Sequence, residues 1–162
     1  NGKDYFFVNK HEFKKLIEKN KFLEHAKVFN NYYGSLKKNV VDKLNKGQNV
    51  IFDIDWQGTK KIKSKKLNYK IITIFILPPS KKELFKRLLK RDQKDKNIAS
   101  ERMKQFKEDI MHWKEYDFTV INDKLEICYK RIINYINEKS NKKKFLVYNK
   151  EYISKHINKL IN

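Results

Sequence analysis

Two apolar runs, each followed closely by a helix signal, constrain this chain most. Residues 70–77 (KIITIFIL) are the most continuous run. A short uninterrupted stretch rich in β-branched residues reads as a strand buried on both faces, as central strands of parallel sheets are. Pro78 and Pro79 end it. Ser80 then caps a helix to about Arg91, and Glu83, three residues on, completes a capping box. The second run, NVIFDI (49–54), reads as another buried strand and leads into a short basic helix over 57–65. Strands alternating with helices predict an α/β fold with a parallel sheet and crossover connections.

The rest of the chain is read in the same way. YFFV (5–8) is expected to be a short strand, and HEFKKLIEK (11–19) a helix with Phe13, Leu16 and Ile17 at helical spacing. FLEHAKVF (22–29) is a strand and NNYYGS (30–35) a tight turn. Residues 36–46 form a helix that Gly47 stops. After the polar break at 92–97, a long helix is predicted over 98–113 and a strand at FTVIN (118–122). Asp123 is the expected N-cap of an amphipathic helix over 124–138, with Cys128 buried on its apolar side. NKKK (141–144) is a charged break. Residues 145–162, with Phe145, Leu146, Tyr152, Ile153, Ile157 and Leu160, read as a peripheral helix. Residues 5–35 look like a smaller, strand-rich insert, and no internal repeat or long linker is visible.

Composition narrows the function. Thirty-nine Lys and Arg against 19 Asp and Glu leave a net charge of +20, a balance often found in proteins that bind nucleic acid or membrane surfaces. The lysines are spread along the whole chain among Asn and Ile, so no specific nucleic-acid partner is expected. No apolar run approaches the length of a membrane span, so no membrane partner is expected either. The positive field would instead draw in nucleotide phosphates. With one cysteine there is no internal disulfide, which fits a reducing cytoplasm. His25 and His112 have no partners at metal-ligand spacing and read as ordinary structural residues.

The chemistry-bearing residues fall in two stretches. Asp53 and Asp55 are two apart at the end of a strand, so both carboxylates point to one face. They would repel unless a cation, a metal or hydrogen-bond donors lie between them. Acids at the C-terminal end of such a strand sit where α/β enzymes bind ligands. A site for guanine needs acceptors for the donors at N1 and N2, and a donor for O6. Glu24, Asp55 and Ser35 have those properties. Tyr5 and Tyr33 offer hydroxyls to a phosphate, and Gly34 would let the backbone come close to a ligand.

Taken in order, YFFV, FLEHAKVF, NYYGS, GQNVIFDIDWQG, LPPS and VIND resemble the guanylate kinase family, of bacterial type, over nearly the whole chain. The resemblance implies a P-loop nucleoside monophosphate kinase fold: a parallel sheet core, a small strand-rich GMP-binding insert and a helical lid. Residues 1–35 would be part of the insert and 36–162 the core, with the lid at about 86–105. The implied reaction is transfer of a phosphoryl group from ATP to GMP, with Mg²⁺, by a monomer or homodimer. Tyr5, Glu24, Tyr33, Gly34, Ser35 and Asp55 would bind GMP. Asp53, Arg91 and Arg102 would be catalytic, and Asn122 would lie near the adenine of ATP.

The chain departs from the family pattern in three places. It contains no GxxxxGK[ST] loop, so by resemblance a region carrying the first strand and the phosphate loop is missing, and the chain is expected to be a fragment or a truncated product. Lys90 and Asp92 flank Arg91 where the family has glycines, and Asp92 would oppose Arg91. Asn30 replaces a glycine before NYYG. A missing phosphate loop also fits an inactive guanylate kinase-like module that binds proteins, the alternative reading.

Overall fold

Asn9 and Glu12 open the first helix by serving each other's backbone. Asn9 Oδ1 accepts the Glu12 N–H at 2.9 Å, and Glu12 Oε2 accepts the Asn9 N–H at 3.0 Å. This capping box starts helix α1 (Lys10–Glu18). The structure, a computed structural model, describes residue 2 and residues 5–28, 31–65, 67–92, 94–141 and 148–162, with 138–141 by backbone alone. The chain divides into two compact units, Asn1–Ile71 and Ile72–Asn162.

In the first unit α1 ends at Asn20, which takes a left-handed φ of 50°. Strands β1 (Phe22–Val28) and β2 (Asn31–Leu36) then form an antiparallel hairpin. The expected tight turn at NNYYGS is therefore mostly strand. Asn30 lies outside the described residues. A bulge between Phe22 and Glu24 shifts the register, so Glu24 faces Ser35 and His25 faces Gly34. Helix α2 (Lys37–Asn45) follows, and Gly47 stops it as expected, with φ +72°. The N–H groups of Gly47 and Gln48 return to the carbonyls of Leu44 and Lys43, so two terminal acceptors are satisfied. Helix α3 (Trp56–Ser64) packs on β1 through Ile62 and Leu23, which share a core with Val40.

Residues 49–54 alternate as a half-buried strand would. Val50, Phe52 and Ile54 pack on that core, while Ile51 is 94% exposed and Asp53 is also exposed. They join no ladder among the described residues, so the expected buried strand is not seen there. Residues 5–8 likewise form no strand, and their four side chains are exposed. The open edge of β1 is covered by lysines of α3 and its C-cap: Lys61 Nζ donates to the His25 carbonyl, and Lys65 Nζ to that of Phe22 at 3.3 Å.

In the second unit β3 (Ile74–Leu77) and β4 (Phe118–Ile121) pair in parallel, from Ile74 opposite Phe118 to Leu77 opposite Ile121. The parallel pairing is as expected. The strand is shorter than the apolar run, however, and Ile76 is exposed rather than buried on both faces. Just before the ladder, Asp117 Oδ2 accepts both the backbone N–H and the hydroxyl of Thr73 at 2.8 Å. Helix α4 (Lys81–Arg91) starts at Ser80, whose Oγ accepts the Glu83 N–H at 3.1 Å. Only half of the expected capping box is made, because the Glu83 carboxylate instead takes Arg87 Nε at 2.8 Å.

Helix α5 (Lys96–Asp109) is shorter than predicted and tightens into a 3₁₀ segment, Ile110–Glu115. Helix α6 (Leu125–Asn141) begins one residue beyond Lys124, so Asp123 is not its N-cap. Helix α7 (Lys150–Ile161) is the largest surprise. The C-terminal helix is not peripheral: Ile153, Ile157 and Leu160 are buried with Leu77, Ile110, Trp113 and Ile121 in the core of the unit. Phe145 and Leu146 lie outside the described residues. Among the described residues no helix is long and apolar enough to cross a membrane.

Candidate functional site

In the first unit the bulge in β1 places three consecutive residues, Phe22, Leu23 and Glu24, in buried positions. Regular alternation would send every second one to solvent. Glu24 is thereby buried, at 4% exposure, although it is a carboxylate. A buried carboxylate needs donors. Its Oε1 accepts the Ser35 hydroxyl from the facing strand at 2.7 Å. Its Oε2 lies against the first turn of α3, where a Cβ on Gly58 would stand 2.9 Å from it. The helix N-terminus favours negative charge there.

Asp55 serves the same turn. It is the N-cap of α3: its Oδ1 accepts the Gly58 N–H at 2.8 Å and its Oδ2 the Gln57 Nε2 at 3.2 Å. Glu24, Ser35 and Asp55 thus converge on the start of one helix, and Gly58 is the small residue that allows it. Asp53, two residues back, projects to solvent. The local sequence Asp-x-x-Gly signals the cap, but the need for a glycine facing Glu24 appears only in the folded chain.

The two phosphate-binding candidates also meet. The rings of Tyr5 and Tyr33 are edge to face, 6.0 Å between centroids, and both are exposed. Gly34 has a packing role that sequence reasoning missed. A Cβ there would lie 2.8 and 2.9 Å from the ring of Phe22, which is itself buried and stacked on Phe13 with centroids 4.6 Å apart. His25, opposite Gly34, has its pKa lowered, first by burial and then by the positive charge of Lys61.

In the second unit the three remaining candidates lie at element ends. Arg91 is the exposed last residue of α4. Arg102, on α5, is half-buried beside Asp92, with Nε and Oδ2 2.9 Å apart. The two atoms are shielded from solvent and make no aligned hydrogen bond, so between them the contact is one of charge. Asp92 therefore faces Arg102, where the expectation had set it against Arg91. Asn122 follows β4. Its N–H donates to the Leu77 carbonyl at 2.8 Å and its carbonyl accepts from Arg87 Nη1 at 3.0 Å. Arg87, which sequence reasoning passed over, fixes the backbone of the adenine candidate.

Among the described residues no group of three His, Cys, Asp or Glu side chains could hold a metal by itself. Mg²⁺ commonly needs no such cluster, since one or two carboxylates join substrate phosphates and waters.

Comparison with known proteins identifies the family. The family model for guanylate kinase matches residues 1–139. A guanylate kinase of Blochmanniella floridana is 50% identical over 127 residues, covering 78% of this chain and 60% of that protein. One from Shewanella violacea is 50% identical over 123 residues, covering 76% and 58%. The crystal structure of guanylate kinase from Anaplasma phagocytophilum superposes with a TM-score of 0.66 at 34% identity, covering 86% of this chain and 66% of that one. The match to the curated relatives thus spans about 60% of their length.

Proposed function

The chain belongs to the guanylate kinase family, and we propose that its protein transfers a phosphoryl group from ATP to GMP, giving ADP and GDP. The observation that carries this is the buried Glu24 carboxylate facing the Ser35 hydroxyl at the start of α3. Ser35 has one proton, and in the free chain Glu24 accepts it. On binding, guanine O6 accepts the hydrogen bond of that hydroxyl instead, and both Glu24 oxygens become available to the N1 and N2 donors. Adenine offers an acceptor where guanine has its N1 donor, which would leave the buried carboxylate unpaired. Asp55 adds an acceptor while holding α3 in place. Gly34 keeps the β-hairpin closely packed behind Ser35. The hydroxyls of Tyr5 and Tyr33 take the GMP phosphate.

Arg91 and Arg102 are the cations for the transferring group, whose charge spreads over its equatorial oxygens. Asn122, its backbone held by Leu77 and Arg87, lies by the adenine. Mg²⁺, bound with ATP, supplies charge neutralisation at the phosphates, and the exposed Asp53 is the carboxylate that would hold it or its waters. The residues themselves position and neutralise, and no covalent intermediate on the protein is needed. The names of the relatives favour this enzyme over the inactive binding module. The test is GDP formation from ATP and GMP by the protein. GDP that requires GMP, is not matched by ADP formed from AMP, and stops on chelation of Mg²⁺ supports the reading. Equal use of AMP refutes it.

A further inference from the structure

The contact between Asp92 and Arg102 has a consequence for phosphate binding, and it rests on the kinase reading above. Asp92 caps the C-terminus of α4, with its N–H donating to the Leu88 carbonyl at 2.8 Å. A helix C-terminus carries negative potential, so a carboxylate placed there, with a side chain only 8% exposed, needs a cation beside it. Arg102 is that cation, at 2.9 Å and with a side chain 23% exposed. Nε and Oδ2 meet as charges, without an aligned hydrogen bond between those two atoms. A guanidinium binds a phosphate better than this, through parallel, aligned, charge-assisted bonds.

We propose that Asp92 is an affinity-setting residue: it acts as an internal counter-anion that neutralises Arg102 until a nucleotide phosphate replaces it. Each phosphate that engages Arg102 must displace the carboxylate and then tolerate its charge nearby. Asp92 therefore weakens ATP binding, and it does so through Arg102. Nothing is broken or formed covalently, and the exchange is of one anion for another on the same guanidinium.

The experiment measures MgATP and tripolyphosphate affinity by calorimetry for the unmodified chain and for D92N, D92G, R102A and D92N/R102A. Thermal melts accompany each variant, so that an unfolded protein is recognised. D92N is expected to bind both ligands about fivefold tighter, with D92G in the same direction, and D92N/R102A to match R102A. Two variants guard against one that fails to fold. Unchanged or weaker binding in the folded D92 variants overturns the proposal, as does a full D92N effect in the R102A background. Absence of ATP and tripolyphosphate binding in every variant overturns it too, since Arg102 would then meet no phosphate. GMP against AMP on the same unmodified sample reports separately on the kinase reading, because that preference does not depend on Asp92.

Discussion

The Ser35 hydroxyl donates a hydrogen bond to Glu24 Oε1 at 2.7 Å across the β1–β2 hairpin, and the accepting carboxylate is buried. Ser35 serves one of the two carboxylate oxygens. Glu24→Gln is isosteric and still offers an oxygen to Ser35. It is expected to lower the GMP-over-AMP preference at least about tenfold, with little change in melting temperature. Parallel titrations and melts check both parts, and an intact preference would remove Glu24 from the guanine site.

Gly34→Ala is expected to destabilise the first unit by about 1–3 kcal/mol. The new Cβ would press on the Phe22 ring at 2.8 Å, and that ring cannot swing away because it is stacked on Phe13. Urea unfolding of the variant measures the loss. Adding Phe22→Leu should recover part of it if the ring is the obstacle.

Leu160→Ala tests the position of α7. Leu160 is buried with Leu77 and Ile157 in the core of the second unit. Its truncation should cost about 2–5 kcal/mol in urea unfolding. A loss under about 0.5 kcal/mol, usual for surface changes, would return the helix to the periphery.

His25 makes the stability depend on pH on the acid side. Its folded pKa is lowered by burial and by Lys61, so the unfolded chain binds the proton more readily. Between the unfolded value of about 6.5 and the lower folded value, stability falls as pH falls. The melting temperature is expected to drop as pH is lowered through this window, and less so for His25→Gln. Identical pH profiles for the two proteins would contradict it.

Much of the fold was legible because helices announce themselves locally. The apolar spacing over 36–46 and the glycine that ends it located α2, and Ser80 located the start of α4. What failed depended on partners elsewhere in the chain. Residues 49–54 have the alternation of a strand, but pairing needs a neighbour, and none lies alongside among the described residues. NNYYGS mimics a turn because Asn and Gly are turn residues, yet Gly34 is small for the sake of the Phe22 ring. Ile153, Ile157 and Leu160 show helical spacing in the sequence, but spacing does not say whether the apolar face is covered.

The candidate site divides in the same way. Glu24 and Ser35 were singled out separately, as an acceptor and a donor, and the fold brings the two into contact. The cap formed by Asp55 was readable from Asp-x-x-Gly, yet sequence reasoning took that residue only as a candidate ligand. The pairing of Asp92 with Arg102 joins residues on two helices, and no local pattern announces it.

The central claim is that Glu24, Ser35 and their neighbours recognise guanine. It is tested most directly by calorimetric titration of this chain with GMP, with AMP as the control and a melt on the same sample. Saturable GMP binding with at least about tenfold weaker AMP binding is the predicted result. A folded sample that binds the two nucleotides equally, or neither, would contradict it.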